Sequence, residues 1–185
     1  MKKLKHKQRL LAVPITLKVL WLLSKRENQI SKAANTIIEN FSESHLDEVF
    51  TIEKYSNPTP WRLQTFQKVL VNRTLSFVIK ANNKIIGFCI ASAVHEECHL
   101  QNICVAKEFK RQGLGKSMLK TLTTRCQVAN LKQVILEVRA SNSAAQNFYK
   151  QCGFSEIGRR KDYYRLGDGR ENAVLMSLSL EKRFL

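Results

Sequence analysis

LQNICVAKEFKRQGLGKSML, Leu100 to Leu119, decides the fold. Its first half reads as a strand that changes phase. Counting from Cys98, that residue and Leu100 share one face, whereas Ile103 and Val105 share the other, and a one-residue slip of this kind predicts a bulge. Its second half is a basic, glycine-bearing turn, Lys110 to Ser117, that leads into a helix with Leu114, Met118, Leu119, Leu122 and Cys126 at helical spacing. A strand, a glycine turn and a helix in that order suit a pyrophosphate. Gly113 and Gly115 let an anion approach the main chain, the helix start supplies N–H donors and a favourable dipole, and Arg111 and Lys116 add positive charge. An ordinary helix start reads the same way. The four residues that a P-loop needs between its glycines are missing, which sets nucleotide hydrolysis aside.

Outward from this stretch the pattern alternates. Upstream, a short strand near Thr36 to Asn40 precedes a helix in SESHLDEVFTIEKYS, and PTPWRLQTFQKVLVN predicts a second helix with Leu63, Phe66, Val69 and Leu70 on one face. SFVIKA and KIIGFCIASAV, joined through Asn82 and Asn83, predict a hairpin. Downstream come a compact strand, KQVILEVR, and a helix in SNSAAQNFYKQCGF capped by Ser or Asn, with Gly153 just past its end. Two last strands are expected near Ser155–Arg160 and Ala173–Leu178. The expectation is one α/β domain over 36–180, with a mixed, mostly antiparallel sheet flanked by helices, plus an extension over 1–35.

The chain has 185 residues and a net charge of +16. Residues 1–36 hold nine of the 31 basic side chains and one of the 15 acidic ones, so the bias is densest in the extension. Its apolar run, Leu10 to Leu23, is interrupted by Pro14 and Lys18 and falls short of the about 20 residues that span a bilayer. No small-residue cleavage site follows it. A helix docked on the domain or an only partly ordered extension is the favoured reading, ahead of a basic amphipathic element resting on RNA or on a membrane, and membrane contact is not expected. Five cysteines without a C-x-x-C pair read as free thiols in a reducing cytoplasm. His95 and His99 are assigned to strands, and no metal site is expected.

Glu137 stands out because it lies in an otherwise apolar strand, facing opposite to Val134, Leu136 and Val138. Burial there would favour a base, whereas the plain alternative pairs it with Arg139 or another cation. Tyr149, on a helical face with Ala145, Phe148 and Cys152, reads as a core tyrosine, and Asn142 as a helix cap.

The Lys110–Gly115 segment resembles the acetyl-coenzyme A signature of GNAT acetyltransferases, with Lys110 where Gln or Arg is common. LEVRASNSAAQNFYKQCGF, GRRKDYYRLGDGRENAVLM and PWRLQTF resemble the ribosomal-protein-alanine N-acetyltransferases within that superfamily, over about residues 36–180. The resemblance implies acetyl-coenzyme A as cosubstrate. Ile103, Cys104 and Val105 would bond its acetyl and pantetheine arm through the main chain, Arg111, Gln112, Gly113, Leu114, Gly115 and Lys116 would wrap its pyrophosphate, and Asn142 would touch it. It implies Glu137 as proton acceptor, Tyr149 as proton donor, and Tyr163 and Tyr164 as a clamp on the acceptor peptide. The implied acceptor is a protein N-terminus, an alanine of a small-subunit ribosomal protein. Acetylation of lysine or a small amine, and a silent GNAT-like binding module, are the alternatives. A phenol near ~10 and a thiol near ~8.5 lie close enough for proton transfer, and an N-terminal amine near ~8 asks less of a base than lysine near ~10.4. Because such substrates are basic, either local acids (Glu53, Glu96, Glu97, Asp168 or Glu171) line the peptide groove, or the basic surface meets ribosomal RNA.

Overall fold

A computed structural model describes residues 36–72 and 75–181. The extension over 1–35, with its expected apolar helix, lies outside the described residues. Strand β1 (Thr36–Asn40) leads through a short 3₁₀ turn into helix α1 (Leu46–Ser56), followed by α2 (Leu63–Val69). Then come β2 (Phe77–Ala81), β3 (Lys84–Val94), β4 (Glu97–Val105), helix α3 (Leu114–Val128), β5 (Gln133–Arg139), helix α4 (Ser143–Gln151), β6 (Ser155–Leu166) and β7 (Gly169–Ser179). The strands form one sheet in the order β1-β2-β3-β4-β5-β7-β6. The β2–β3, β3–β4, β5–β7 and β6–β7 pairs are antiparallel, and β4–β5 is parallel.

Each face of the sheet carries its own core. On one, Met118, Leu119, Leu122 and Cys126 of α3 and Tyr149 of α4 pack on Cys89, Leu100, Leu136 and Val138. On the other, Val49 of α1 and Phe66 of α2 pack on Val78, Phe88 and Ile90. Two covered faces explain why β2 and β3 read as continuous apolar runs rather than alternating ones. Phe66 is fully buried and stands between Trp61 and Phe88, with ring centroids at 5.3 and 5.7 Å. Phe66→Ala is expected to cost about 3–5 kcal/mol, read as a lower midpoint in urea unfolding.

The β2–β3 turn follows its sequence: Asn82 and Asn83 sit at φ 49° and 63°, the conformation a two-residue hairpin requires and Asn tolerates. Three expectations need correction. Helix α2 begins at Leu63, not at the prolines, because Asn57 to Trp61 run as a loop tied to the buried carboxylate of Glu53. That carboxylate accepts Asn57 Nδ2 and Trp61 N–H, each at 3.0 Å. His95 lies in the β3–β4 turn at φ 52° rather than on a strand. The last two strands are about twice as long as expected and form a hairpin closed at Gly167–Asp168.

Candidate active site

The site begins where two parallel strands part. β4 and β5 pair from Glu97–Gln133 to Leu100–Leu136 and no further. Beyond that point β4 follows β3 to the Val105–Gly87 pair, while β5 follows β7 to Arg139–Ala173. Gln101 is the cause: Ile90 pairs with Asn102 and Ala91 with Leu100, so Gln101 is an extra residue that bends β4 away. The phase slip in the sequence marked this bulge. A wedge opens between the two strand ends, and one of its edges carries main-chain groups without a strand partner. The Ala106 N–H donates to the Ile86 carbonyl at 2.9 Å, so alternation turns the backbone of Cys104 toward β3 as well. The N–H and C=O groups of Ile103 and Val105 therefore face the wedge.

On the α3 and α4 face, the glycine turn stands at the start of α3. Gly113 is the residue before the helix, at φ 80°, and Arg111 is also left-handed at φ 65°. No side chain caps this helix, so its first N–H groups keep their hydrogen-bonding capacity. A Cβ built on Gly113 would meet no atom within 4 Å, whereas one on Gly115 would meet Phe148 Cζ at 3.3 Å. Gly113 thus leaves open space over the turn, and Gly115 allows α3 to sit against α4. An uncapped helix start with an open approach, between the exposed side chains of Arg111, Gln112 and Lys116, fits a pyrophosphate. Leu114 packs inward on the core. Asn142 caps α4, its Oδ1 accepting the Ala145 N–H at 3.0 Å; that leaves its amide NH₂ for another partner.

Tyr149 lies on this same face, nine-tenths buried, with its ring 5.3 Å from Phe148 and 5.5 Å from Phe154. Burial pushes its phenol well above the ordinary value, so the proton stays on it throughout the neutral range. The near match between a phenol and a thiol drawn from ordinary values does not survive unchanged. Burial acts on thiols here too: Cys104, on the opposite face at the wedge, is pushed up to about 11 by desolvation first and then by Glu53. A thiol bound in the wedge would move in the same direction as the phenol.

Glu137 faces the other side of the sheet. It lines an open cleft of about 800 Å³ with Trp61 and Lys68 from the α2 region, Gln101 from the bulge, and Arg160, Tyr163 and Tyr164 from β6. The carboxylate is neither dry nor alone: Arg160 Nη1 donates to Glu137 Oε1 at 2.6 Å, and the Glu137 side chain is about a quarter exposed. Arg139, the neighbour expected as an ion partner, bonds Glu171 at 2.6 Å instead. The two tyrosines reach one cleft although they are adjacent on a strand. Between the Arg160–Ala173 and Tyr164–Glu171 pairs, β6 has three residues against one on β7, and Asp162 is left-handed at φ 50°. Asn172 Oδ1 accepts the Asp162 N–H at 3.0 Å, and Arg170 donates to the Asp162 carbonyl at 3.1 Å. This braced bulge turns Tyr163 to the side of Tyr164, with rings 4.9 Å apart. Tyr164 donates to the Glu137 carbonyl oxygen at 3.1 Å, and burial, then the charge of Glu137, pushes its phenol up to about 12.

Glu137 and Tyr149 therefore stand on opposite faces of the sheet with the wedge between them. Arg160, Trp61, Lys68 and Gln101 are site residues the sequence reading missed. None of the five acids considered for an acidic groove (Glu53, Glu96, Glu97, Asp168, Glu171) lines the cleft. Glu53 is wholly buried on the inner face of α1 and Glu171 is engaged by Arg139. Among the described residues, no group of three or more His, Cys, Asp or Glu side chains is placed to hold a metal ion, and no helix is long and apolar enough to cross a membrane.

The model of the acetyltransferase (GNAT) family matches residues 36–154. Similar curated proteins include the ribosomal protein bS18-alanine N-acetyltransferase of Escherichia coli strain K12, 36% identical over 143 residues that span 77% of this chain and 97% of the relative. The enzyme of that name from Haemophilus ducreyi is 35% identical over 145 residues, 78% of this chain and all of the relative. The crystal structure of the ribosomal-protein-S18-alanine N-acetyltransferase from Escherichia coli superposes with a TM-score of 0.74 at 34% identity, over 82% of this chain and 99% of that one. A sheet split between two parallel strands, with a glycine turn on one face and a carboxylate on the other, thus agrees with the sequence matches: the chain belongs to the acetyltransferase (GNAT) family, among the ribosomal-protein-alanine N-acetyltransferases.

Proposed function

We propose that the protein transfers the acetyl group of acetyl-coenzyme A to the N-terminal amine of a protein, an alanine of a small-subunit ribosomal protein. The observation that carries this reading is the placement of Glu137 and Tyr149 on the two faces of the β4–β5 wedge. In it, the start of α3, from Arg111 to Lys116, receives the pyrophosphate, and the main-chain groups of Ile103 and Val105 that face the wedge align the arm; the main chain of Cys104 faces β3, and its thiol donates to the Val105 carbonyl at 3.8 Å. The free NH₂ of Asn142 is a further contact for the arm. The thioester carbonyl then lies between the two faces. From the cleft, an acceptor ammonium gives one proton to Glu137, directly or through a water, and its nitrogen attacks the carbonyl carbon. The N–C bond forms, the C–S bond breaks as the nitrogen gives up its second proton to solvent water in the open cleft, and the sulfur takes up negative charge beside the phenol of Tyr149, which hydrogen-bonds it, protonates it to the free thiol and regains a proton from solvent once the thiol has left. Tyr163 and Tyr164 form one wall for the peptide. The cytoplasm is the compartment in which the free thiols of Cys89, Cys98, Cys104, Cys126 and Cys152 persist.

An N-terminal amine near ~8 is partly neutral at pH 7, so a single carboxylate is an adequate base for it, while a lysine near ~10.4 asks more. With acetyl-coenzyme A and a peptide beginning with alanine and containing an internal lysine, acetylation is expected on the α-amine and is lost when that amine is blocked. Mass spectrometry locates the group. Transfer to the blocked peptide would move the acceptor to lysine.

A further inference from the structure

The Glu137 carboxylate already has a cationic partner. Its Oε1 is held by Arg160 at 2.6 Å, and both residues line the cleft from which an acceptor must come. Arg160 has a second support: its guanidinium lies over the ring of Tyr163, 4.5 Å from the centroid. Its side chain is half exposed, so leaving Glu137 carries little desolvation cost and the cation–π contact offers a resting place. Of the other titratable groups around the carboxylate, the Tyr163 hydroxyl also hydrogen-bonds the Glu137 side chain, which holds its phenol above the ordinary value, but no second cation does. Lys68 and His99 line the cleft without bonding Glu137, Tyr164 bonds the main chain of Glu137, and Arg139 is occupied by Glu171.

We propose that Arg160 is a positioning residue that occupies Glu137 in the free enzyme and is displaced onto Tyr163 by the acceptor's ammonium. It holds the carboxylate at the cleft wall and at the same time competes with the acceptor for it. The proposal rests on the reading of Glu137 as the base. An exposed ion pair is weak, so the competition is worth a small factor.

Arg160→Gln is expected to lower the acceptor KM about two- to five-fold, with the KM for acetyl-coenzyme A unchanged and kcat not raised. Arg160→Lys, which keeps the cation, should restore a KM close to wild type. Methylguanidinium added to the Gln variant should inhibit competitively against the acceptor, and far less in the wild type. A merely structural arginine would give neither the selective fall in KM nor this inhibition. An acceptor KM that stays the same or rises in Arg160→Gln overturns the proposal. Should that variant not fold, the wild-type protein supplies the readout: the Arg160 side-chain Nε–H resonance, assigned by its loss in Arg160→Lys, shifts when acceptor peptide is added with coenzyme A, and an unmoved resonance overturns the proposal. The measurements use whichever amine the wild type acetylates, so an acceptor other than an N-terminus leaves the test intact. Full activity of Glu137→Gln would instead remove the base reading itself.

Discussion

Glu137→Gln is expected to lower kcat at pH 7 by about 10²- to 10⁴-fold, the range for losing a positioned general base, while the affinity for coenzyme A stays as in the wild type. The substitution is close to isosteric, and the amide oxygen still accepts from Arg160, so the cleft wall keeps its shape. What it removes is the ability to take a proton. An acceptor ammonium bound at the cleft then has nowhere to discharge, and only the fraction that arrives already neutral can attack. That fraction grows as pH rises toward ~8 for an N-terminal amine, so the deficit of the variant should shrink with increasing pH. The binding half of the prediction follows from the sheet. The glycine turn and α3 lie on the opposite face, and Glu137 touches neither. Steady-state rates from pH 6 to 9 and calorimetric titration with coenzyme A check both halves, and unchanged turnover at pH 7 would remove Glu137 from its role.

How far the sequence could be read depended on where burial left a pattern. The β2–β3 hairpin, α3 and β5 lie under covered faces, so their apolar spacing is dense and their limits were legible. The Gln101 bulge was legible because it shifts that spacing by one. β6 escaped because it is the edge strand: nearly every residue from Ser155 to Leu166 is exposed or half-exposed, so no alternation marks it. Its bulge, built from Lys161, Asp162 and Tyr163, leaves no apolar signal either. Only the Gly167–Asp168 dipeptide at the hairpin end marks its true length. Arg160 was hidden for the same reason. In a run such as GRRKDYYR each cation looks like a solvated surface charge, and nothing local indicates that one of them reaches 23 residues back to the candidate base.

Of the two environments considered for Glu137, a dry carboxylate and an ion pair, the structure has the ion pair, with Arg160 rather than Arg139 as the cation. One polar residue in an apolar strand implies a buried carboxylate only if the facing layer is also apolar. Its facing layer is the polar hairpin, which supplies Arg160 and two phenols. The strand's own pattern describes the face that carries Val134, Leu136 and Val138, and that face holds the core. The other face is a site.

Tyr149→Phe is expected to lower kcat by about 10²-fold without destabilising the fold. The ring packs between Phe148 and Phe154 and is nine-tenths buried, so a phenylalanine keeps every apolar contact. Only the hydroxyl is lost. The phenol's raised pKa makes it a reluctant acid, and its contribution therefore depends on how much charge the leaving sulfur carries. For a coenzyme A thiol near the ordinary ~8.5, moved upward by the same dry surroundings, the hydrogen bond and the proton are both needed. A thioester whose thiol is intrinsically more acidic needs them less. The ratio of wild-type to variant rates should accordingly fall as the leaving thiol becomes more acidic, which a series of acetyl thioester donors with graded thiol pKa measures directly. The sign of the pH effect follows from the same shift: a phenol held above its usual value remains protonated below about pH 10, so any fall in wild-type activity between pH 8 and 10 must persist in the phenylalanine variant. A deficit that is constant across the donor series would make Tyr149 a packing residue and leave the sulfur to be protonated by solvent.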